Sequence, residues 1–303
     1  MLDTLTGKII TIVDMPLFMF VSGYFSSSVF SRPIKVVLKQ KWQTIVRPTL
    51  LFTCLLMTMN YCKIPSSLSS IQFLKWAYFS FFTSYWFIWA LLSSLFLTYL
   101  SLKLIRSKYP IIPLMISLVF ILLIPRNLSV IPNLSSIQAL FPFFIIGYLA
   151  RKYELFHKII LKPTVYCLSC CLLFAIALYL YHGNQSFYYF ASLPFTVWAK
   201  NYIIMLAGGI GAIVLLYLAV NYMQNGSKVQ KTIAKVGEYS LVIYLLQQLF
   251  IFALAQLNIE NSSRISQFIV SFLLFGVICV LVFLFSKNSK VAYYLMGKRL
   301  NEA

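Results

Sequence analysis

The chain has 303 residues, of which 61% are hydrophobic and only 10% are charged. A soluble domain carries about 25% charged residues, so the composition excludes a soluble globular protein and predicts an all-α, polytopic membrane protein. The net charge of +19 does not indicate nucleic-acid binding, because the basic residues form short clusters between apolar segments rather than one basic face. We therefore expect the lipid bilayer, and no nucleic acid, as a partner.

Nine apolar segments approach the length of a membrane helix, which is about 20 residues. In chain order they are 9–30, 46–62, 82–102, 109–124, 136–150, 163–181, 201–222, 237–257 and 265–286. The fourth and fifth segments are short and have prolines at their ends, which leaves the count open by one helix. No soluble domain or linker interrupts the series, so the sequence predicts a single membrane domain over residues 1–303.

The loop charges support the count of nine. Of the 25 basic residues, 19 follow the first, third, fifth, seventh or ninth apolar segment. The other six precede the first segment or follow the second, fourth, sixth or eighth. Because positively charged loops stay in the cytoplasm, the pattern predicts an outside N-terminus and a cytoplasmic C-terminus. A cleaved signal peptide has its positive charge before the apolar core, whereas here only Lys8 precedes the first segment. We expect a retained helix, as in a chain whose preceding helix is missing.

Two patterns that resemble binding sites are explained by helix packing. Cys167, Cys170 and Cys171 have a metal-like spacing, but a zinc site needs four ligands and the two histidines of the chain do not supply a second pair. The sequence therefore predicts no metal site. The glycine cluster 208–211 follows no strand, so it is not a phosphate loop and predicts close helix packing instead.

Five stretches contain longer motifs, in this order: DMPLFMFVSGYF (14–25), LKQKWQTIVRPTLLF (38–52), SYWFIWALLSSLF (84–96), LFPFFIIGYLARKYEL (140–155) and VGEYSLVIYLLQQLFI (236–251). They resemble the H-M-P-L-F-F-x-x-S-G-Y-F, K-K-R-x-x-R-L-L-I-P-Y-L, W-F-L-x-A-L, L-P-F-F-L-x-G-Y-x-x-R-K and L-G-x-x-S-L-x-I-Y-L-x-H-x-x-F motifs of the membrane acyltransferase 3 family. The resemblance covers nearly the whole chain.

The resemblance implies a function and a location. Members are polytopic enzymes that O-acylate sugars of cell-surface glycans or lipid-linked sugars. It implies acetyl-CoA as a co-substrate rather than a bound cofactor, and the bacterial inner (cytoplasmic) membrane as the location. Two rivals remain open, an inactive shortened relative and a glycan-lipid transporter or flippase. A transporter typically contains broken helices in corresponding halves, and the sequence contains no such symmetry.

The chain departs from the family at its catalytic positions. The resemblance implies a first helix that bears an arginine and, further along, a histidine, and we expect that this chain lacks that helix. The histidine before Met-Pro is replaced by Asp14 and the late histidine by Gln247, so these two are the candidate catalytic positions. Histidine suits general-base catalysis near neutral pH, and Asp14 would have to replace it. An ionisable residue near the centre of a membrane helix costs about 2.5–3.5 kcal/mol and usually has a function; the alternative is a shallow position near the outer interface.

The resemblance and the charges together suggest a donor surface and an acceptor surface. Arginine and lysine bind phosphate, so we expect the donor phosphates at Lys41, Arg47, Arg151 and Lys152, although such residues also serve as topology anchors.

On the acceptor side we place Tyr85, Trp86, Trp89, Glu238 and Ser240. The aromatic residues among them are also typical of an interfacial aromatic belt, which is the explanation the pattern favours. For Glu238 the pattern favours its position at a helix N-terminus, where a carboxylate is favourable, over a substrate role.

Overall fold

The computed structural model describes residues 5–61, 70–105, 107–125, 133–161, 163–181, 194–222, 239–256 and 264–288, together with 237, 292 and 294. These residues are helical almost throughout, and no strand occurs among them. The helices are α1 Leu5–Phe25, α2 Ile34–Lys41, α3 Arg47–Tyr61, α4 Ser70–Ser84, α5 Trp86–Leu104, α6 Ile111–Leu123, α7 Leu134–Lys152, α8 Leu155–Leu161, α9 Pro163–Leu180, α10 Phe195–Tyr222, α11 Ser240–Gln256 and α12 Arg264–Lys287. A π-helical turn, Trp42–Val46, joins α2 to α3.

Every one of the nine predicted segments contains a helix, and α2, α4 and α8 are additional. Within the described ranges, five helices are long and apolar enough to cross a membrane: α1, α5, α7, α9 and α10. The prediction of an all-helical membrane protein is confirmed, whereas the count of nine spans is not. The largest difference is α4, which lies where the sequence predicted a loop between the second and third segments.

The chain divides into two compact units. The first unit comprises Met1–Arg32 and Trp89–Gln224, and the second comprises Pro33–Ile88 and Asn225–Ala303.

In the first unit, α7 is the central helix, in contact with α1, α6, α8 and α10. Phe141, Phe143 and Phe144 are fully buried on it, as expected for a helix that is apolar on all sides. Pro142 interrupts its hydrogen bonds, because proline has no N–H to donate to the carbonyl of Gln138 four residues earlier. The Tyr202 hydroxyl of α10 donates to that carbonyl at 3.1 Å, so the buried acceptor keeps a partner.

Glycines set the helix spacing in this unit. A Cβ added to Gly23 of α1 would collide with the carbonyl oxygen of Phe144, and one added to Gly147 of α7 would collide with the carbonyl oxygen of Phe20. The two backbones therefore touch where α1 and α7 cross, as small residues allow in membrane helices. On α10, a Cβ at Gly208 would lie 2.7 Å from that of Ala177 on α9, which confirms the packing role predicted for the glycine cluster 208–211.

In the second unit, α2 continues through the π-helical turn into α3, and α3 contacts both α4 and α11. The turn precedes Pro48. In a regular helix the proline ring clashes with the carbonyl four residues earlier, and the wider turn gives the Arg47 N–H the carbonyl of Trp42 as its acceptor, five residues back. Such π-bulges are frequent at functional sites, and this one separates Lys41 from Arg47.

Candidate functional site

Two of the family-like motifs meet in the first unit. The crossing of α1 and α7 brings Tyr24, which follows Gly23, next to Arg151, which lies one turn after Gly147. The Arg151 guanidinium carbon is 5.3 Å from the centroid of the Tyr24 ring, and Nη1 donates to the Tyr24 hydroxyl at 3.3 Å. The stretches 14–25 and 140–155 therefore form one structural feature.

Aromatic side chains complete this feature, which we call the Tyr24 cluster: Tyr24, Arg151, Phe156 and Tyr217. Phe156 of α8 lies 5.7 Å from the Tyr24 ring and stacks on Tyr217 of α10 at 3.9 Å between centroids. Four helices thus contribute to one site. A cation held over an aromatic face gains about 0.5–1 kcal/mol when exposed, which favours this position of the guanidinium at the end of the two crossed helices.

The electrostatics of the Tyr24 cluster favour an anion. Arg151 and the adjacent Lys152 are both exposed, and no carboxylate in the described ranges pairs with Arg151. Its guanidinium has five N–H donors, and the bond to Tyr24 uses one of them. The remaining donors form the planar fork that binds phosphate in bidentate geometry.

Asp14 lies well inside α1 rather than at its end. The helix begins at Leu5 and ends at Phe25, which places Asp14 about 14 Å along the axis from the first residue and about 17 Å from the last at the usual rise. The position along the helix does not decide between a deep and a shallow place in the bilayer, so both alternatives for Asp14 stay predictions. The side chain is half-buried, and no described residue gives it a hydrogen bond or an ion pair.

The other two predicted donor residues belong to the second unit. Lys41 ends α2 and is half-buried. Arg47 begins α3, and its guanidinium carbon lies 5.2 Å from the centroid of the Tyr294 ring. Both of the arginines predicted to bind the donor are therefore held against a tyrosine, Arg47 in this unit and Arg151 in the first.

The aromatic motif at the start of α5 contacts the late motif on α11. The Tyr85 hydroxyl donates to the carbonyl of Leu245 at 3.1 Å, and Tyr244 meets the rings of Tyr85 and Phe87 edge to face, at 6.1 Å and 5.9 Å. Tyr85 is fully buried, so its ring and hydroxyl are used in packing. Trp86 is half-buried and keeps part of its indole exposed.

The remaining predicted residues lie on α5 and α11, except for Glu238. Trp89 lies one turn beyond Trp86 on α5 and is half-buried. Ser240 and Gln247 are seven residues apart and share one face of α11; Ser240 is half-buried and Gln247 is exposed. Glu238 lies outside the described residues. Within the described ranges, no group of three His, Cys, Asp or Glu side chains is arranged to hold a metal ion.

Fold and site together define a helical membrane protein with a basic, aromatic site at the end of two crossed helices. A family model described as an acyltransferase domain, that of the acyltransferase 3 family, matches residues 2–286. The chain belongs to the acyltransferase 3 family, as its motifs predicted, and is in general terms a membrane acyltransferase. No curated protein and no solved structure matches it.

Sequence reasoning found Arg151 but missed its aromatic neighbours. Tyr24 stands inside the S-G-Y stretch, so its position in a motif was a usable signal. Phe156 and Tyr217 have no such signal, because single aromatic residues in apolar helices are common and only the packing of α8 against α10 brings these two rings together.

Proposed function

We propose that the chain transfers an acetyl group from acetyl-CoA to a hydroxyl of a cell-surface glycan or lipid-linked sugar. Membership of the acyltransferase 3 family supports the reaction class. The observation that carries the proposal is the contact between Tyr24 and Arg151, which joins two family-like motifs into an exposed cationic site suited to the phosphates of CoA. CoA is a co-substrate in this proposal and not a resident cofactor.

The geometry of α1 suggests how donor and base are arranged. Asp14 and Tyr24 are ten residues apart on one helix, which is about 15 Å at the usual rise and half of the bilayer core. With its phosphates at Arg151 and Lys152, the linear pantetheine arm of CoA points the thioester along α1 towards Asp14. The carboxylate of Asp14 accepts the proton of the sugar hydroxyl, whose oxygen attacks the thioester carbonyl. The C–S bond breaks, an ester forms, and the protonated Asp14 gives its proton to the departing sulfur, so CoA leaves as its thiol.

The other predicted groups keep their roles as predictions. Lys41 and Arg47, in the second unit, remain predicted phosphate ligands, and Gln247 remains a candidate catalytic position. For the acceptor we keep Trp86 and Trp89, whose half-exposed indoles suit stacking on a sugar ring, together with the predicted Tyr85, Glu238 and Ser240. Of these, Tyr85 acts by positioning, since its hydroxyl is bound to the Leu245 carbonyl.

The topology that goes with this function has nine membrane helices in the inner membrane, with the N-terminus outside and the C-terminus in the cytoplasm. The support is the alternation of basic loops. It places the end of α7, and with it Arg151, on the cytoplasmic side, where acetyl-CoA is available.

The test is an assay of acetyl-CoA consumption with extracted glycans, using purified protein in proteoliposomes. Arg151→Gln removes the phosphate fork and is expected to raise the KM for acetyl-CoA about 10-fold or more, because a hydrogen bond to a charged group contributes about 1.5–3 kcal/mol. Lys103→Gln is the matched control, since Lys103 is an exposed cation outside the Tyr24 cluster. An unchanged KM in Arg151→Gln would contradict the assignment of the donor site.

A second candidate is an inactive relative that keeps the fold. The observation that favours it is the replacement of both motif histidines by Asp14 and Gln247. The same assay separates the two candidates. Absence of transfer, with acetyl-CoA still bound, supports the inactive relative, whereas transfer that is lost on Asp14→Asn supports the enzyme.

A further inference from the structure

The short helix α2 has an exposed surface that neither the donor site nor the acceptor site uses. Lys35 and Lys39 are one turn apart and both exposed. Val37, on another side of the helix, is only 3% exposed and faces the protein. The two lysines therefore form a cationic row directed away from the protein.

An apolar row lies beside this cationic row. Leu38 is 53% exposed and Trp42, the first residue of the π-helical turn, is 55% exposed. Leu38 lies three residues after Lys35, and Trp42 three residues after Lys39, so the two rows are neighbours on the helix surface. Lysine next to exposed leucine and tryptophan is typical of a helix that lies in the membrane interface.

The protein offers these lysines no anionic partner in the part of the chain that is described. Neither lysine makes an ion pair there, and no acidic residue occurs among the described residues of the second unit. Basic residues on an amphipathic segment next to a membrane helix attract anionic lipid headgroups, with about 1 kcal/mol for each residue near the surface.

We propose that the α2 surface, formed by Lys35, Leu38, Lys39 and Trp42, binds anionic phospholipids of the cytoplasmic leaflet. The lysines contact the phosphate groups, and Leu38 and Trp42 enter the boundary between headgroups and acyl chains. The phosphates of a soluble donor share part of this chemistry. The apolar row favours the lipid, because a water-soluble donor gains nothing from a leucine and a tryptophan placed beside its phosphates.

The experiment uses the full chain in nanodiscs of phosphatidylglycerol and phosphatidylcholine at one fixed mixture. Bromine is placed on the acyl chains of either the anionic or the neutral lipid, and quenching of tryptophan fluorescence is measured. The Trp42→Phe protein supplies the signal of the other four tryptophans, so the difference reports Trp42. Brominated phosphatidylglycerol is expected to quench Trp42 more strongly than its mole fraction predicts. The preference is expected to fall in 1 M salt, where the Debye length is about 3 Å.

The double variant Lys35→Gln/Lys39→Gln is expected to abolish the preference, with about five-fold lost for each lysine. The matched control is Lys103→Gln/Lys108→Gln, which removes the same charge from another basic segment and should leave the quenching of Trp42 unchanged. Equal quenching by the two lipids in the unaltered protein would overturn the proposal. It would also be overturned by an equal loss in both double variants, or by free CoA abolishing the preference, since the lysines would then hold the donor.

Discussion

The hydroxyl of Tyr202 is predicted to stabilise the first unit because Pro142 leaves a buried carbonyl without its helical partner. Tyr202→Phe keeps the ring, which stacks on Trp198 at 5.1 Å, and removes the hydroxyl that donates to the Gln138 carbonyl. Leaving a buried acceptor unsatisfied costs about 1–3 kcal/mol. Interhelical hydrogen bonds in membrane proteins average about 0.6 kcal/mol, with a maximum near 1.7. We expect a loss near this maximum, because Pro142 removes the N–H that would bind this acceptor in a regular helix.

A double-mutant cycle isolates the effect. Pro142→Ala restores an N–H four residues after Gln138, so the helix itself can satisfy the carbonyl. In that background Tyr202→Phe is expected to cost less than about 0.5 kcal/mol, which gives a coupling energy of about 1 kcal/mol. The free energy of unfolding is measured by titrating each variant, in mixed micelles, with a denaturing detergent.

Tyr148→Phe is the matched control for the loss of a hydroxyl. Its ring is buried, but its hydroxyl donates to no residue in the described ranges, so the variant should be nearly neutral. If Tyr202→Phe lowers stability equally with proline and with alanine at position 142, the hydroxyl does not act through the orphan carbonyl and the reasoning is wrong.

Three further predictions concern helix packing, chemistry and topology. Gly23→Ala and Gly147→Ala should each lower the free energy of unfolding by about 1–3 kcal/mol, because backbone cannot move aside as a side chain can. Gly276→Ala is the control and should leave the free energy of unfolding unchanged, because an added Cβ there meets nothing within 4 Å. Equal losses at the three sites would contradict the close crossing of α1 and α7. Asp14→Asn should abolish acetyl transfer without lowering stability, since it removes a membrane carboxylate that has no described partner; retained transfer would exclude Asp14 as the base. A reporter fused after Ala303 should be active only in the cytoplasm, and activity outside would show that a helix was miscounted.

Much of the fold follows from the sequence because bilayer insertion is a local property of about 20 residues. Each of the nine apolar segments contains a helix, but within the described ranges only five helices are long and apolar enough to cross a membrane, so the count of nine spans is not confirmed. The bounds of α1 were less accurate, since the apolar run continues past Phe25 while the helix ends there and turns follow, with the Val29 N–H donating to the carbonyl of Ser26. The helix α4 was missed because its 15 residues include Lys75 and follow a polar stretch.

The sequence by itself determined the class, the family and the residue types at the motif positions, because these depend on composition and on order along the chain. Only the tertiary structure decided which residues meet. Tyr24 and Arg151 are 127 residues apart, and nothing local in either stretch specifies the other as its partner. Similarly, Pro142 in the sequence predicts that the Gln138 carbonyl lacks its helical donor. Only the packing of α10 against α7 decides that the Tyr202 hydroxyl donates to it instead. Such contacts depend on helix crossings, and a crossing is fixed by complementary surfaces on both helices at once, which no single segment encodes.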